Sequence, residues 1–313
     1  MYNLEFKSLV QMLKQLPDET SCREYLENTI WQGNPVCPHC KETKQYKLNV
    51  KGEFNGLYKC GGCKKRYTIR VGTIFESSPI PLRTWFIAIF IFASHKRGIS
   101  SYQLAEDLGV TQKTAWFMLS RLRASYVQAI PEKSLSVATM DESFVGGSNK
   151  NRHKNKKVKN SQGRSYKDKT PVFGMIQDNK IYTRVIPNTQ GETLKPLVKE
   201  LVQAGATIVT DEWMGYTGLN ADYDHQYVNH NLKQYATESG FSSNNVENFW
   251  SHLKRSIKGT YFHVSRKHLQ MYCDEMSFRF NGREDNAGQK FNNSLVKMAQ
   301  KRLKYKDLIS KNV

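Results

Sequence analysis

The chain has 313 residues and carries 47 Lys and Arg against 28 Asp and Glu, a formal charge of +19. Its length allows a sizeable core in two or three domains, and so large a positive excess points to a polyanionic partner, nucleic acid first. No stretch approaches the roughly 18 apolar residues of a membrane span. Charges interrupt the apolar residues of MYNLEFKSLVQML, unlike a secretory leader, so a membrane-spanning protein is excluded and a cytoplasmic one expected.

Residues 1–34 read as short helices, with apolar residues at helical spacing in FKSLVQML and CREYLENTIW and Asp18 or Thr20 as a cap for the second. Cys22 reads there as a small core residue. From residue 35 the character changes. PVCPHC is followed nineteen residues later by KCGGC, so Cys37, Cys40, Cys60 and Cys63 form two CxxC pairs. In a cytosolic chain such pairs read as a four-thiolate zinc site, with a redox CxxC as the other reading. Pro38 and Gly61–Gly62 favour tight knuckles, and QYKLNVKG and GLYKC read as strands of a small ribbon. Four ligands close the site, so the expected Zn²⁺ is structural, and His39 is left without a required role.

PLRTWFIAIFIFASHKRG reads as an apolar, buried helix ending near Gly98. GISSYQLAEDLGVTQKTAWFMLSRLR then has the layout of a helix-turn-helix. Ser100 or Ser101 caps the first helix, Leu104, Ala105 and Leu108 line its inner face, and Gly109 supplies the turn. Thr111 caps a second helix with Ala115, Met118, Leu119 and Leu122 inside. Gln112, Lys113, Arg121 and Arg123 are expected to face outward, where they could meet DNA. A helical hairpin that only packs is the plainer alternative.

SLSVATMDESFVGG reads as a strand running into a Gly-Gly turn. Residues 149–169 hold nine Lys and Arg, Lys154, Lys156 and Lys157 among them, against one Asp. With almost nothing apolar, this is a solvated loop suited to phosphate contact. PVFGMIQDNKIYTRVIP reads as two strands joined by a tight Asp-Asn turn, GETLKPLVKELVQAG as a helix, ATIVTDEWMGY as a buried strand ending in an acid, and HQYVNH as a last strand. A helix follows over NNVENFWSHLKR, where Val246, Phe249, Trp250, Leu253 and Ile257 recur at spacings of three and four. Residues 264–283 read as a further amphipathic helix and 290–310 as a basic terminal one.

Strand, hairpin, helix, strand, then helix is a mixed α/β order, with acids in telling places. Asp141 ends the first strand region, Asp211 ends TIVT, and Glu247 sits on the later helix with Lys254 two turns along the same line. Any one such acid could be a turn cap, and Glu247 with Lys254 a solvated charge pair. Three acids from three elements of so basic a chain suit Mg²⁺ or Mn²⁺ and two-metal attack on a phosphodiester. Glu142 and Glu212 should point to the opposite strand face and are runners-up. His225, His230, His252, His263 and His268 show no ligand spacing, though His230 is a candidate neighbour of the site. Trp213, Trp250 and Tyr261 read as core residues before base-stacking ones.

In the order zinc ribbon, helix-turn-helix, MDESFVGG, TDEWMGY, VNH and NNVENFWSHLKRSIKGTYFHVSRKHLQMY, the chain resembles a group of bacterial insertion-sequence transposases, the ISXO-like group. In that group a ribonuclease-H-like DDE domain follows an N-terminal zinc ribbon. The resemblance runs from about residue 15 to 285. It implies a multidomain α/β fold: zinc ribbon and helix-turn-helix, then a ribonuclease-H-like mixed-sheet domain with C-terminal helices. It also implies Asp141 and Asp211 as the first two ligands of two Mg²⁺ (or Mn²⁺) ions and Glu247, 36 residues after Asp211, as the third acid. Lys254 would then hold a phosphate or base of the transposon end, and Arg255 and Lys258 could meet backbone phosphates. Members of the group can carry Asn at the third position, so Asn244 stays open as an alternative.

The expected boundaries are 1–78 for N-terminal helices and ribbon, 79–130 for the helix-turn-helix, 131–285 for the catalytic domain and 286–313 for a basic C-terminal helix. The implied function is a DNA transposase that binds the terminal inverted repeats of its element, cleaves a strand at each end and joins the freed 3′-hydroxyl to target DNA. Its partner is double-stranded DNA, as transposon ends and target, with no membrane and with a homodimer or higher oligomer on the DNA. It would act in the bacterial cytoplasm, at the nucleoid. A non-catalytic DNA-binding regulator and a ribonuclease-H-like nuclease without strand transfer are the other two readings.

Overall fold

The computed structural model describes residues 4–147, 153–159, 165, 168–228, 243–299 and 302–310. They fall into two units, one of residues 1–126 with 284–313 and one of residues 127–283.

In the first unit, α1 (Leu9–Gln15) and α2 (Glu19–Trp31) lead into a three-stranded antiparallel ribbon. α2 begins on Asp18, whose carboxylate accepts from the Ser21 N–H while the Ser21 hydroxyl accepts in return, a capping box. The ribbon runs β1 (Gln45–Val50), β2 (Glu53–Cys60) and β3 (Arg66–Tyr67) in that order. Its core is aromatic: Tyr58 and Tyr67 stack at 5.6 Å, and Trp31 meets both edge-on. So small a core is insufficient to hold such a module alone.

Helix α3 (Leu82–Ser94) is apolar on nearly every side and therefore needs cover all round. Part of that cover comes from the far end of the chain. α9 (Ala287–Met298) packs along it, with Phe291 meeting Phe86 at 5.4 Å and Phe6 at 5.3 Å, both edge to face. α4 (Ser101–Leu108) and α5 (Gln112–Ser125) form the hairpin. Ser100 accepts from the Gln103 N–H, Gly109 closes α4 at φ +64°, and Thr111 accepts from the Thr114 N–H.

The outer face of α5 departs from expectation. Gln112 is half-buried and donates to the Ser101 hydroxyl at 2.8 Å, and Lys113, exposed, lies 5.9 Å above the ring of Tyr305 in the short α10 (Tyr305–Ile309). Arg121 and Arg123 do not face outward; both are buried. The Arg121 guanidinium lies on the Phe117 ring and donates to the carbonyls of Ile74 at 2.6 Å and Glu76 at 3.2 Å. Arg123 sits over Phe92. An irregular turn leaves carbonyls that need donors, and the two arginines lie at the end of α5 that the rest of the unit encloses.

The second unit is a five-stranded mixed sheet in the order β6-β5-β4-β7-β8. β4 (Ala138–Val145), β5 (Thr170–Gln177) and β6 (Lys180–Val185) run antiparallel, the last two joined at Asp178–Asn179, both at positive φ. That geometry is the turn that suits a two-residue hairpin. β7 (Thr207–Asp211) and β8 (Asp224–Val228) extend the sheet parallel to β4. This order and these directions make the sheet ribonuclease-H-like. α6 (Gly191–Leu201) covers one face with Leu194, Leu197, Val198 and Leu201. α7 (Asn244–Ser256) and α8 (Leu269–Asn281) cover the other with Val246, Phe249, Trp250, Leu253, Leu269 and Cys273. β4 is the central strand, and its neighbour β5 is buried at every position.

Candidate active site and metal centre

The four cysteines converge because two knuckles of the same design face each other. In the first, the Cys37 N–H bonds the Glu42 carbonyl at 2.9 Å; in the second, the Cys60 N–H bonds the Lys65 carbonyl at 3.0 Å. The residue after each second cysteine, Lys41 and Lys64, takes the left-handed conformation, at φ +65° and +61°. All four sulfurs lie within 4.8 Å of one another, with Cys37–Cys63 at 3.7 Å and Cys40–Cys60 at 3.5 Å. A tetrahedral zinc ion with bonds of about 2.3 Å needs sulfurs about 3.8 Å apart. Donor set and spacing therefore fit Zn²⁺, and Cys37 and Cys60 are fully buried under Tyr58 and Tyr67. Exposed His39 is not part of the cluster.

The acids meet by topology. β4 and β7 are parallel neighbours with Ala138 opposite Ile208 and Thr139 opposite Val209. Carried on, that register brings Asp211 level with Asp141, on strands about 4.8 Å apart. α7 crosses the same face and brings Glu247 in its first turn. Burial, then the charge of Asp211, pushes the Asp141 carboxyl up to about 6, and Glu247 adds to the rise. The Glu142 N–H at 2.8 Å and the Trp250 indole N–H at 3.0 Å donate to it and oppose that rise. Asp211 accepts from the Trp213 N–H at 3.1 Å, and Glu247 from the Ser243 hydroxyl at 3.4 Å. Among the described residues only the cysteines bring three or more ligand atoms within 4.8 Å. The acid site is thus an open, mutually repelling carboxylate set, whose all-oxygen chemistry fits Mg²⁺ or Mn²⁺.

The neighbours sort by face. Glu142 turns away from Asp141 and takes a hydrogen bond from Tyr216, buried among the α6 side of the sheet. Trp213 is half out of the core; its indole donates to the Thr189 carbonyl at 2.7 Å and its ring borders a shallow cleft with Asp141, Glu142, Phe144 and Thr189. Trp250 is core, as its spacing predicts, yet it also bonds Asp141, which spacing alone does not reveal. Asn244 lies one turn before Glu247, both exposed; Lys254 and Arg255 are exposed in the last turn of α7, and Lys258 in the wide turn Ile257–Tyr261 that follows. Tyr261 is anchored by its hydroxyl to Glu275.

His225 is tied to the Thr210 hydroxyl at 2.9 Å and pushed down to about 4 by burial, so it stays neutral. His252 and His263 are exposed, and His268 bonds Ser265. Lys154 and Lys157 are exposed around a short 3-10 turn. The Lys156 side chain and His230 lie outside the described residues.

Two domain families match this chain: the ISXO2-like transposase domain over residues 136–281 and the transposase zinc-ribbon domain over residues 17–66. An uncharacterized protein in transposable element ISH50 of Halobacterium salinarum is 24% identical over 233 residues, 71% of this chain and 78% of that protein. An uncharacterized transposase-like protein of Haemophilus influenzae is 32% identical over 106 residues, 34% of this chain and 84% of its own. Among solved structures, a chain of a pre-cleavage Mos1 transpososome aligns with 66% of this chain and 75% of its own at 13% identity, with a TM-score of 0.27, too loose a likeness to build on.

Proposed function

The chain belongs to the ISXO2-like transposase family, and on that premise we propose that it cuts and joins DNA at the ends of its own element. The observation that carries the reading is that Asp141, Asp211 and Glu247, from β4, β7 and α7, lie near enough that Asp211 and Glu247 both raise the cost of charge on Asp141. Carboxylates are gathered against their own repulsion where cations are to be bound.

In this reading Asp141, Asp211 and Glu247 hold two Mg²⁺ or Mn²⁺ ions. When bound, such ions supply the Lewis acidity that activates an attacking hydroxyl and stabilises a leaving oxygen in a phosphodiester. The protein's own part is placement. Asp141 is fixed by two N–H donors, and Asp211 by the Trp213 N–H. Lys254, Arg255 and Lys258 offer cations along the exposed side of α7 and the turn after it, where they would hold the phosphates of a transposon end. Lys154 and Lys157, with Lys156, would add contacts to the DNA backbone. The zinc-stapled ribbon and the α4–α5 hairpin, through Gln112 and Lys113, would read the terminal repeat. Synapsis of two ends then requires at least two copies on the DNA. Among the described residues no helix is long and apolar enough to cross a membrane.

The test is cleavage and joining of a labelled duplex that carries the element's flanking ends, with Mg²⁺ or Mn²⁺. Metal-dependent nicking and joined product, lost in Asp211→Ala and Glu247→Gln and kept in Asn244→Ala, is the expected result. Activity kept in Glu247→Gln and lost in Asn244→Ala moves the third ligand upstream. Nicking without joined product makes the protein a nuclease, and specific binding with no cleavage under either metal makes it a regulator.

A further inference from the structure

Helix α7 brings two groups to the acid site, not one. Glu247 is the charged one, and Trp250, three residues on, lies on the same side of the helix one turn away. Trp250 is 4% exposed, and its indole N–H donates to Oδ2 of Asp141 at 3.0 Å. α7 packs over both β4 and β5, and the residue of β5 directly opposite Asp141 is Gly174. A Cβ on Gly174 would fall 2.5 Å from Cζ2 and 2.8 Å from Cη2 of Trp250. Glycine in the middle of a fully buried strand weakens it unless something must come close. Here the missing side chain leaves the slot in which the indole lies on the sheet face and reaches Asp141.

We propose that Trp250 is a positioning residue for the DDE chemistry: with its ring seated over Gly174, its N–H fixes the orientation in which the Asp141 carboxylate faces the metal site. The inference rests on the reading of Asp141 as a metal ligand. One helix then delivers the third acid and aims the first, so the metal site is assembled only when α7 is docked. Removing a hydrogen-bond partner of a metal ligand lowers metal affinity or activity by about 10- to 100-fold.

Two substitutions separate aim from packing. Trp250→Phe keeps a ring over Gly174 and removes the donor. Trp250→His loses the ring that fills the slot and keeps an N–H at the position of the indole nitrogen. Each zinc-loaded, full-length variant is assayed at pH 8 for melting temperature, affinity for end DNA without divalent ions, Mn²⁺ binding by calorimetry, and the Mn²⁺ concentration that half-saturates cleavage. Expected is a rise of about tenfold or more in both Mn²⁺ readings for Trp250→Phe, unchanged DNA affinity, and near wild-type Mn²⁺ readings for Trp250→His despite a lower melting temperature. Gly174→Ala, which displaces the indole while leaving every acid in place, should reproduce the Trp250→Phe behaviour. Mn²⁺ readings that follow the melting temperature across all three variants, or that stay at wild type in Trp250→Phe, overturn the inference. Asp141→Asn is the control. If it cleaves like wild type, the reading of Asp141 has failed; if it is inactive while Trp250→Phe is normal, only the role of Trp250 has.

Discussion

Two clusters of side chains in this chain are built on opposite terms. The cysteines come from two knuckles of one short ribbon and stand with sulfurs 3.7 and 3.5 Å apart, at the spacing of a closed tetrahedral site. The acids come from β4, β7 and α7, with Asp141 and Asp211 half-buried and Glu247 exposed, and the charges of Asp211 and Glu247 oppose charge on Asp141. The first arrangement makes a metal part of the fold, because the aromatic core around the ribbon is too small to persist without it. In the proposed reading the second would make a metal part of the work, because a cation would offset the repulsion among the carboxylates. Stability and activity should therefore come apart when each set is disturbed.

The largest effect should come from the ribbon. Structural zinc sites of this type carry about 10–16 kcal/mol of apparent binding energy that is also folding energy. Cys60→Ala, at a fully buried ligand, should lose the bound zinc and the ribbon's cooperative melting, and with them the affinity for end DNA. Zinc content and a thermal melt read this directly. A variant that melts as the wild type does would place the ribbon's stability in its aromatic core instead. At the acid site the same kind of change should leave the fold alone. Asp211→Ala is expected to lower cleavage by about a hundred- to a thousandfold with an unchanged zinc content and a melting temperature no lower than the wild type's, since the repulsion on Asp141 is relieved. A fall in both would erase the contrast.

The next effect has the opposite sign. Asp141 has a folded-state pKa of about 6 against an ordinary 3.8, from burial first and Asp211 second. The folded protein therefore binds the proton more tightly than the unfolded chain does. Its stabilising share is present below about pH 4, is lost as pH rises to about 6, and stays lost above that. Asp141→Asn removes this dependence and should stabilise the protein at pH 7.5, without added divalent ions, by on the order of 3 kcal/mol. Adding Mn²⁺ should raise the wild-type melting temperature and leave the variant's nearly unchanged. A wild-type stability that is flat between pH 4 and 7 would show that Asp141 is not under this strain.

The contrast also explains what could be read in advance. Zinc ligands are legible because CxxC knuckles are local; spacing alone brings the sulfurs together. The caps Ser100 and Thr111, the turn at Gly109 and the Asp178–Asn179 hairpin are local in the same sense, and the structure uses those residues. Asp211 ends its strand and Glu247 sits on its helix as expected, whereas Asp141, expected at a strand end, lies in the middle of β4, because the strand runs on to Val145. The meeting of the acids depends on β4 and β7 pairing in parallel, which no local pattern encodes. The strand over PVFGMIQ and the apolar stripe that holds Trp250 are both legible, but only the fold sets Trp250 over Gly174. The burial of α3 under α9 joins residues some 200 positions apart and is beyond any periodicity argument.

Cations divide along the same line, and they supply the smallest effects. A helical stripe says which positions of α5 face its nearest neighbour, but not how far the rest of the unit wraps round it. Arg121 fell outside the stripe and is buried all the same, because the carbonyls of Ile74 and Glu76 lie within its reach. Lys154 and Lys157 carry the same charge and stand in solvent. Arg121→Met should therefore cost about 1.5–3 kcal/mol of stability, the worth of hydrogen bonds to a charged group, and leave the salt dependence of DNA binding unchanged. Lys154→Ala and Lys157→Ala should leave the melt unchanged, and each should reduce the slope of log affinity against log salt by about one. A slope that falls in Arg121→Met and holds in the lysine variants would reverse the assignment, making the enclosed end of α5 the DNA contact and the basic loop a bystander.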